Sequence, residues 1–393
     1  MPMIEKQCSC AMGRHAAPLE GYELSCGAIH KLPDILKDYK KIYVVCDKNT
    51  YAAAGAAVED VLKSAGIYSH TRILESDFPL PDARSVGEVI VHLHDHAALS
   101  DIFAYSPRPD FILAVGTGTI NDVCRVASYR LGLPYGIFGT APSMDGFVSA
   151  GSPFLHDGTK STIQCTTPKF CIVDLDIAKD APWDMLLAGI GDMFGKYTGL
   201  LDWEMAREQT GEYFCETIAE DVLSATNLCL ENGYALSDRD PEAIKNVMEG
   251  FMVTALGMAF TGNSRPASGS EHIVSHAWEL YTLEEGKLPN LHGLEVCQAT
   301  RLIAIMYQML YEETEDEAVR NLIAPYLPYF DAVERFCTKM EMPNPIKDKK
   351  RMYDGIMRTL PMRNRYTILF YLNDRGKLED YASRAVDLFM KRL

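Results

Sequence analysis

Three of the chain's ten histidines fall between Ser268 and His292, in SGSEHIVSHAWELYTLEEGKLPNLH. His272 and His276 are four residues apart and share one face of a helix, and His292 opens a second helical segment behind a break at Gly286, Pro289 and Asn290. Imidazoles gathered in this way can hold a metal ion. Upstream, Asp192 lies between Gly191 and an apolar helical run in AGIGDMFGKYTGLLDWE, residues 188–204. Alone it reads as an acid near a helix N-terminus, favourably placed on the dipole. Together with the histidines it changes meaning, because one carboxylate and two imidazoles give three ligands. Such a set leaves positions open for water or substrate, as a catalytic divalent ion needs.

Other charged clusters compete with this one. VHLHDHA, residues 91–97, crowds His92, His94, Asp95 and His96 together. On a helix they spread around the circumference, and the preceding residues read as helical, so this is a solvated helix end. For an anionic ligand, Arg265 stands directly upstream of the histidine helix, and Lys160 is expected in a turn after His156. Either could be a surface charge, which is the commoner fate of such residues. KDKKR, residues 347–351, is a solvated face.

Two glycine- or hydroxyl-bearing loops follow strand-like runs. In AVGTGTINDVCR, residues 114–125, Gly116 and Gly118 allow close backbone approach, and the amides at the helix start (Thr119, Ile120, Asn121, Asp122) suit a pyrophosphate. The full G-x-G-x-x-G spacing is absent, so a plain tight turn is an equal reading. GTAPSMDGFVS, residues 139–149, offers Thr140, Ala141, Pro142, Ser143, Asp145 and Ser149 at a strand's carboxyl end, where ligands bind in α/β sheets. Asp47 ends the KIYVVC run and could accept hydrogen bonds from an adenosine ribose, which would favour NAD over NADP. It could equally cap the helix beginning near Thr50.

The elements that must carry these residues fall into two textures. From about Glu20 to Leu175 short β-rich runs alternate with helical ones: Glu23–Cys26, Lys41–Cys46, Thr71–Leu74, Phe111–Val115 and Tyr135–Phe138 as strands, with Tyr51–Gly66, Ser85–Ala98 and Asn121–Leu131 as helices. That alternation predicts a Rossmann-like, doubly wound parallel sheet. Beyond it, Trp183–Ala206, Gly211–Asn232, Pro241–Thr261, His272–Tyr281, Leu294–Tyr311 and Ala318–Lys339 all read as helices. An α/β domain over residues 1–178 and an all-α domain over residues 179–393 are therefore expected, with a ligand cleft between them.

With 47% apolar and 23% charged residues the composition is that of a soluble globular protein. No apolar run is long enough to span a bilayer, and residues 1–13 lack the pattern of a signal peptide, so a cytoplasmic location is expected. The formal charge of −16 argues against a nucleic-acid partner. Eleven cysteines with no Cys-x-x-Cys pair read as reduced, mostly buried thiols rather than a disulfide framework.

Taken together, GTGTINDVCR, FGTAPSMDG, AGIGDMFGKYTGLLDWEMA, SRPASGSEHIVSHAWE and LHGLEVCQAT resemble the glycerol-1-phosphate dehydrogenase family, most closely its bacterial AraM-type members. That family stands with iron-type alcohol dehydrogenases, glycerol dehydrogenases and dehydroquinate synthases, and its fold matches the two-domain expectation. The resemblance spans roughly residues 20–310 and does not reach the helices beyond Tyr311. It implies that Asp192, His272 and His292 ligate a divalent ion, nickel or zinc, with iron also compatible. It implies that His276 and Asp145 contact substrate or the nicotinamide end, and that the Gly118–Asp122 and Thr140–Ser143 segments with Ser149 hold NAD or NADP. Thr117 departs from a glycine often found in these relatives. The implied reaction is reversible reduction of dihydroxyacetone phosphate to sn-glycerol 1-phosphate in a homodimer, with Asp145, Asp192 and His276 at the reacting centre. Alternatives are a dehydroquinate-synthase-like cyclase, disfavoured because those relatives usually carry Glu at the position of Asp192, a dehydrogenase of unphosphorylated glycerol, and a non-catalytic nucleotide- or metal-binding protein.

Overall fold

The computed structural model describes residues 4–93, 108–156, 159–362 and 365–393. His94, Asp95 and His96 of the histidine-rich run lie outside them; His92 closes a helix, Ala83–His92.

Six parallel strands form the central sheet: β3 (Gly21–Ser25), β4 (Ile42–Cys46), β5 (Tyr68–Ile73), β6 (Phe111–Gly116), β7 (Tyr135–Gly139) and β10 (Phe170–Asp174). Their spatial order is β3-β10-β7-β6-β4-β5. Every residue of β4, β6 and β7 is buried, which explains their unbroken apolar runs: parallel strands covered on both faces have no solvent side to mark with polar residues. One face packs Val44, Leu113 and Phe138 against Leu32, Val58 and Leu62. The other packs Tyr43, Ile112 and Ala114 against helices α2 (Ala83–His92) and α3 (Gly118–Leu131), through Val86, Val89, Ile120 and Val123; α1 (Ala56–Ser64) lies on the first face. The chain runs from β4 outward to β5, then returns to the other side of β4 as β6. This reversal opens a crevice at the carboxyl ends of β4 and β6.

Three features of this half differ from the expectation. Strand β10 is not among the expected strands, and neither are two antiparallel hairpins: β1 (Ile4–Gln7) with β2 (Arg14–Ala17), and β8 (Gly151–His156) with β9 (Thr159–Gln164). Lys160 lies in β9, paired with Leu155, and not in a turn.

After β10 the described residues form only helices. They include α4 (Trp183–Thr210), α5 (Glu216–Asn232), α6 (Pro241–Thr261), α7 (Ser270–Glu284) and α8 (His292–Glu313). The helix expected over Ala318–Lys339 is interrupted: Glu317–Ile323 passes through a tight turn at Ala324–Tyr326 into Leu327–Lys339. Pro325 and Pro328 cause the interruption, since each lacks an amide for the continuing ladder and is tolerated only in a first turn. No described helix is long and apolar enough to cross a membrane. All eleven cysteines are free thiols and seven of them are buried.

Helix α4 is the axis of this half, buried along most of its 28 residues. It makes close approaches at two glycines. A methyl group on Gly189 would fall 1.7 Å from the Pro142 carbonyl oxygen, and one on Gly293 would fall 1.9 Å from the Ala188 oxygen. The absence of a side chain therefore lets the 139–149 loop of the sheet rest on α4, and lets the first turn of α8 pack on the same stretch.

Candidate active site

These approaches bring separate parts of the chain to one point. Asp192 projects from α4 with no solvent exposure, and its Oδ2 accepts the backbone amide of Asp145 at 2.9 Å. Lys196, one helical turn beyond Asp192, donates to Asp145 Oδ2 at 2.6 Å and to Asp192 Oδ1 at 3.1 Å. His272, near the start of α7, places Nε2 at 3.3 Å from Asp192 Oδ1. The ring centroids of His272 and His292 are 5.4 Å apart, and that of His276 lies 5.6 Å from His292. His272 and Asp145 are nearly fully buried, whereas His276 and His292 are half-buried and line the more open side.

The electrostatics follow from burial. Desolvation disfavours the charge on Asp192, but the Lys196 ammonium and His272 outweigh it and hold the carboxyl below the usual carboxylate range. Desolvation and the Asp192 charge together push Asp145 up. Burial opposes the ammonium of Lys196, yet the two carboxylates prevail and raise it above an ordinary lysine. Burial likewise opposes a charged His272, and Asp192 and Glu271 outweigh it, so the imidazole is shifted upward.

One oxygen of Asp192 and one ring nitrogen each of His272 and His292 lie within 4.8 Å of one another. Nδ1 of His272 faces Glu271 Oε1 at 2.7 Å, and Glu271 is itself fixed by the Gly269 amide and the Thr198 hydroxyl. A carboxylate that accepts a hydrogen bond from Nδ1–H leaves the Nε2 lone pair directed at the ligand cluster, the usual support of a metal-binding histidine. Ligands about 2.0–2.2 Å from one ion stand about 3.3–3.5 Å apart in tetrahedral geometry, close to the separation of Nε2 and Asp192 Oδ1. The residues fit a divalent ion. His276, Glu279 and His292 form a second, half-buried group that shares His292.

The proposed nucleotide residues lie at the sheet's carboxyl edge. Thr117 stands at the N-cap of α3 without a side-chain cap bond, so the first amides of the helix, at Gly118, Thr119 and Ile120, open toward the crevice. The Ile120 side chain is in the core, so any contact it makes with a ligand would be through its backbone. The Thr140 amide binds Gly116 O at 3.0 Å and ties the two loops together, with Ala141, Pro142 and Ser143 buried beside them.

Several expected ligand residues make hydrogen bonds within the chain. Asp47 caps the following helix, its Oδ1 accepting from the Thr50 amide and hydroxyl, so the structure shows the capping role. The Asn121 amide group donates to the carbonyls of Gly146 and Phe147. Asp122 pairs with the fully buried Arg125, which also donates to Gly146 and Gly151 oxygens. These two residues hold the 146–151 stretch to α3. The Ser149 hydroxyl donates to Gly151 O at 2.7 Å. Arg265 is 2% exposed; its guanidinium forks onto Glu212 and donates to Tyr366 O, so it braces the helical domain and is not presented to a substrate.

Sequence reasoning missed Lys196 and Glu271. Lys196 had a visible signal, an Asp-x-x-x-Lys pair on an otherwise apolar helix. Glu271 had a weaker one, an acid directly preceding His272.

Residues 23–182 match the family described as Iron-containing alcohol dehydrogenase. The glycerol-1-phosphate dehydrogenase [NAD(P)+] of Bacillus licheniformis is 30% identical over 383 residues, 94% of this chain and 93% of its own. That of Halalkalibacterium halodurans is 35% identical over 307 residues, 78% and 75% of the two chains. In fold, the structure of a probable glycerol dehydrogenase from Sinorhizobium meliloti superposes with a TM-score of 0.67 at 17% identity, covering 95% of this chain and 97% of that one. The chain belongs to the glycerol-1-phosphate dehydrogenase family, within the iron-containing alcohol dehydrogenases.

Proposed function

We propose that the protein is a metal-dependent sn-glycerol-1-phosphate dehydrogenase that reduces dihydroxyacetone phosphate reversibly with NADH or NADPH. The observation that carries this reading is the convergence of Asp192, His272 and His292 beside the Asp145 loop, where the carboxyl edge of the sheet meets the helical domain. A divalent ion there, nickel, zinc or iron by its donor set, supplies Lewis-acid polarisation of the substrate oxygen.

The chain's own residues do the rest. The amides at the start of α3 and the Thr140–Ser143 loop hold the dinucleotide at the strand-order reversal. Glu271 fixes the His272 tautomer, and Lys196 keeps Asp192 ionised as a ligand. Asp145, held by Lys196, sets the floor of the substrate pocket. His276, on the open side, hydrogen-bonds the substrate hydroxyl and exchanges its proton through a ring nitrogen. Lys160 keeps its place in the proposal as the cation for the phosphate end; Arg265 does not. A homodimer is proposed with the family, to be read by sedimentation.

The test is an assay of purified protein loaded with a divalent ion. Dihydroxyacetone phosphate should drive stoichiometric oxidation of NADH or NADPH, and glycerol 1-phosphate should outperform glycerol in the reverse direction. His272→Ala should lose one equivalent of bound metal, that of the Asp192 cluster, together with the rate. Robust turnover by metal-free His272→Ala protein would sink the mechanism, and product formation without net cofactor oxidation would point to a cyclase.

A further inference from the structure

A second cluster of metal-binding side chains lies away from the active site, where the β1–β2 hairpin meets the helical domain. Cys8, Cys10 and His15 come from the hairpin, Cys215 from the N-cap of α5, and one ligand atom of each falls within 4.8 Å of all the others. The Sγ atoms of Cys8 and Cys215 are 3.5 Å apart, and His15 Nε2 lies 3.4 Å from Cys10 Sγ and 3.7 Å from Cys215 Sγ. A tetrahedral zinc with bonds of about 2.3 Å to sulfur and about 2.0 Å to nitrogen sets its ligands about 3.8 Å apart for sulfur pairs and about 3.5 Å for sulfur–nitrogen pairs. The cluster therefore already has the dimensions of a four-ligand site.

Its surroundings fit the same purpose. His15 is 1% exposed, and its Nδ1 lies 3.0 Å from the Phe260 carbonyl oxygen. That oxygen can only accept, so the proton sits on Nδ1 and the Nε2 lone pair faces the three sulfurs. The Cys10 amide donates to Cys8 Sγ at 3.4 Å and the Tyr213 hydroxyl to Cys10 Sγ at 3.2 Å, both contacts that favour anionic sulfur. Cys215 sits at the amino end of the 17-residue α5; burial pushes its thiol up in the metal-free protein, and the helix dipole opposes that rise. The turn between the two cysteines and the histidine closes through Gly13, whose φ of +69° brings Arg14 and His15 back onto β1.

We propose that Cys8, Cys10, His15 and Cys215 form a structural site for a soft divalent ion of the zinc class, distinct from the catalytic centre. Three thiols release their protons to solvent on binding, the imidazole contributes a lone pair, and no open coordination position remains. The site staples the hairpin to α5 and α6. Two strands of four residues are not stable alone, and the staple gives them an anchor that their length cannot supply.

The test uses the full chain and cobalt(II) or zinc(II) as the probe. In His272→Ala/His292→Ala protein, where two of the three catalytic ligands are gone and the cysteines are untouched, one equivalent of metal should remain, and cobalt should show thiolate charge-transfer absorption. In Cys8→Ser/Cys10→Ser protein that absorption should vanish and the midpoint of thermal unfolding should fall by several degrees. Absence of metal from the histidine variant, or cobalt bound there without thiolate absorption, overturns the proposal. So does a Cys8–Cys215 disulfide found by non-reducing peptide mapping of the purified protein. None of these outcomes depends on whether the dehydrogenase reading holds.

Discussion

Glu271 has no solvent exposure and no route to a substrate, yet it governs His272 by accepting from Nδ1. Glu271→Gln keeps the volume and an acceptor for Thr198, but the amide can turn its NH2 toward the ring and favour the opposite tautomer. Loss of such a supporting carboxylate typically weakens metal affinity about 10–100-fold. The expected result is a right-shifted metal titration with turnover recovering at saturating metal; an unchanged titration would show that Glu271 only packs. The histidines and Asp192 were legible in the sequence because their types are rare and their spacing is specific. Asp47 was less so, because a cap and a ribose acceptor demand the same acid at the same strand end, and only the bond to Thr50 shows that it caps. Arg265 misled for a related reason: a charge beside the histidine helix looks like a ligand until its partner Glu212, 53 residues away, is known.

At the scale of elements, the site depends on how closely α8 approaches α4. Gly293→Ala would set a methyl 1.9 Å from the Ala188 oxygen, so the helices must separate and His292 moves with its helix. Overpacking of this kind costs about 1–3 kcal/mol, and here it should also reduce metal occupancy and turnover. Gly87→Ala on α2 is the control. Nothing lies within 4 Å of the added methyl, and replacing a helical glycine gains about 1 kcal/mol, so the protein should melt higher with activity unchanged. Metal content and melting temperature of both variants check the pair of expectations. The buried strands β4, β6 and β7 and the long helices were legible because length and apolar continuity leave few alternatives. The hairpins were not, since four- to six-residue strands with alternating exposure, such as Arg14–Ala17, resemble ordinary loops until they pair. The Cys8, Cys10, His15 and Cys215 cluster was invisible for the same reason, joining positions some 200 residues apart.

Across the whole molecule, the sheet and helical domains meet at a buried charge arrangement that must be stable in the absence of any bound ion. Asp145 comes from the sheet's loop, Asp192 from α4, and the Asp145 amide already binds Asp192 Oδ2, so the two carboxylates are held side by side. Lys196, with no exposure, supplies the positive charge between them. Lys196→Met would leave two buried acids facing each other, and removing one partner of a buried ion pair costs about 3–5 kcal/mol. In metal-free protein the variant should therefore melt well below the wild type. A divalent ion on Asp192 restores a positive charge to the seam, and ligand binding stabilises by about 2.7 kcal/mol at a free concentration of a hundred times Kd. The rise in melting temperature on adding metal should then be larger in the variant than in the wild type. Any contribution from the cysteine cluster is common to both proteins and cancels in that difference. Equal rises would mean that Lys196 and the metal act independently, and that the domains are held together by packing at Gly189 and Pro142 rather than by charge.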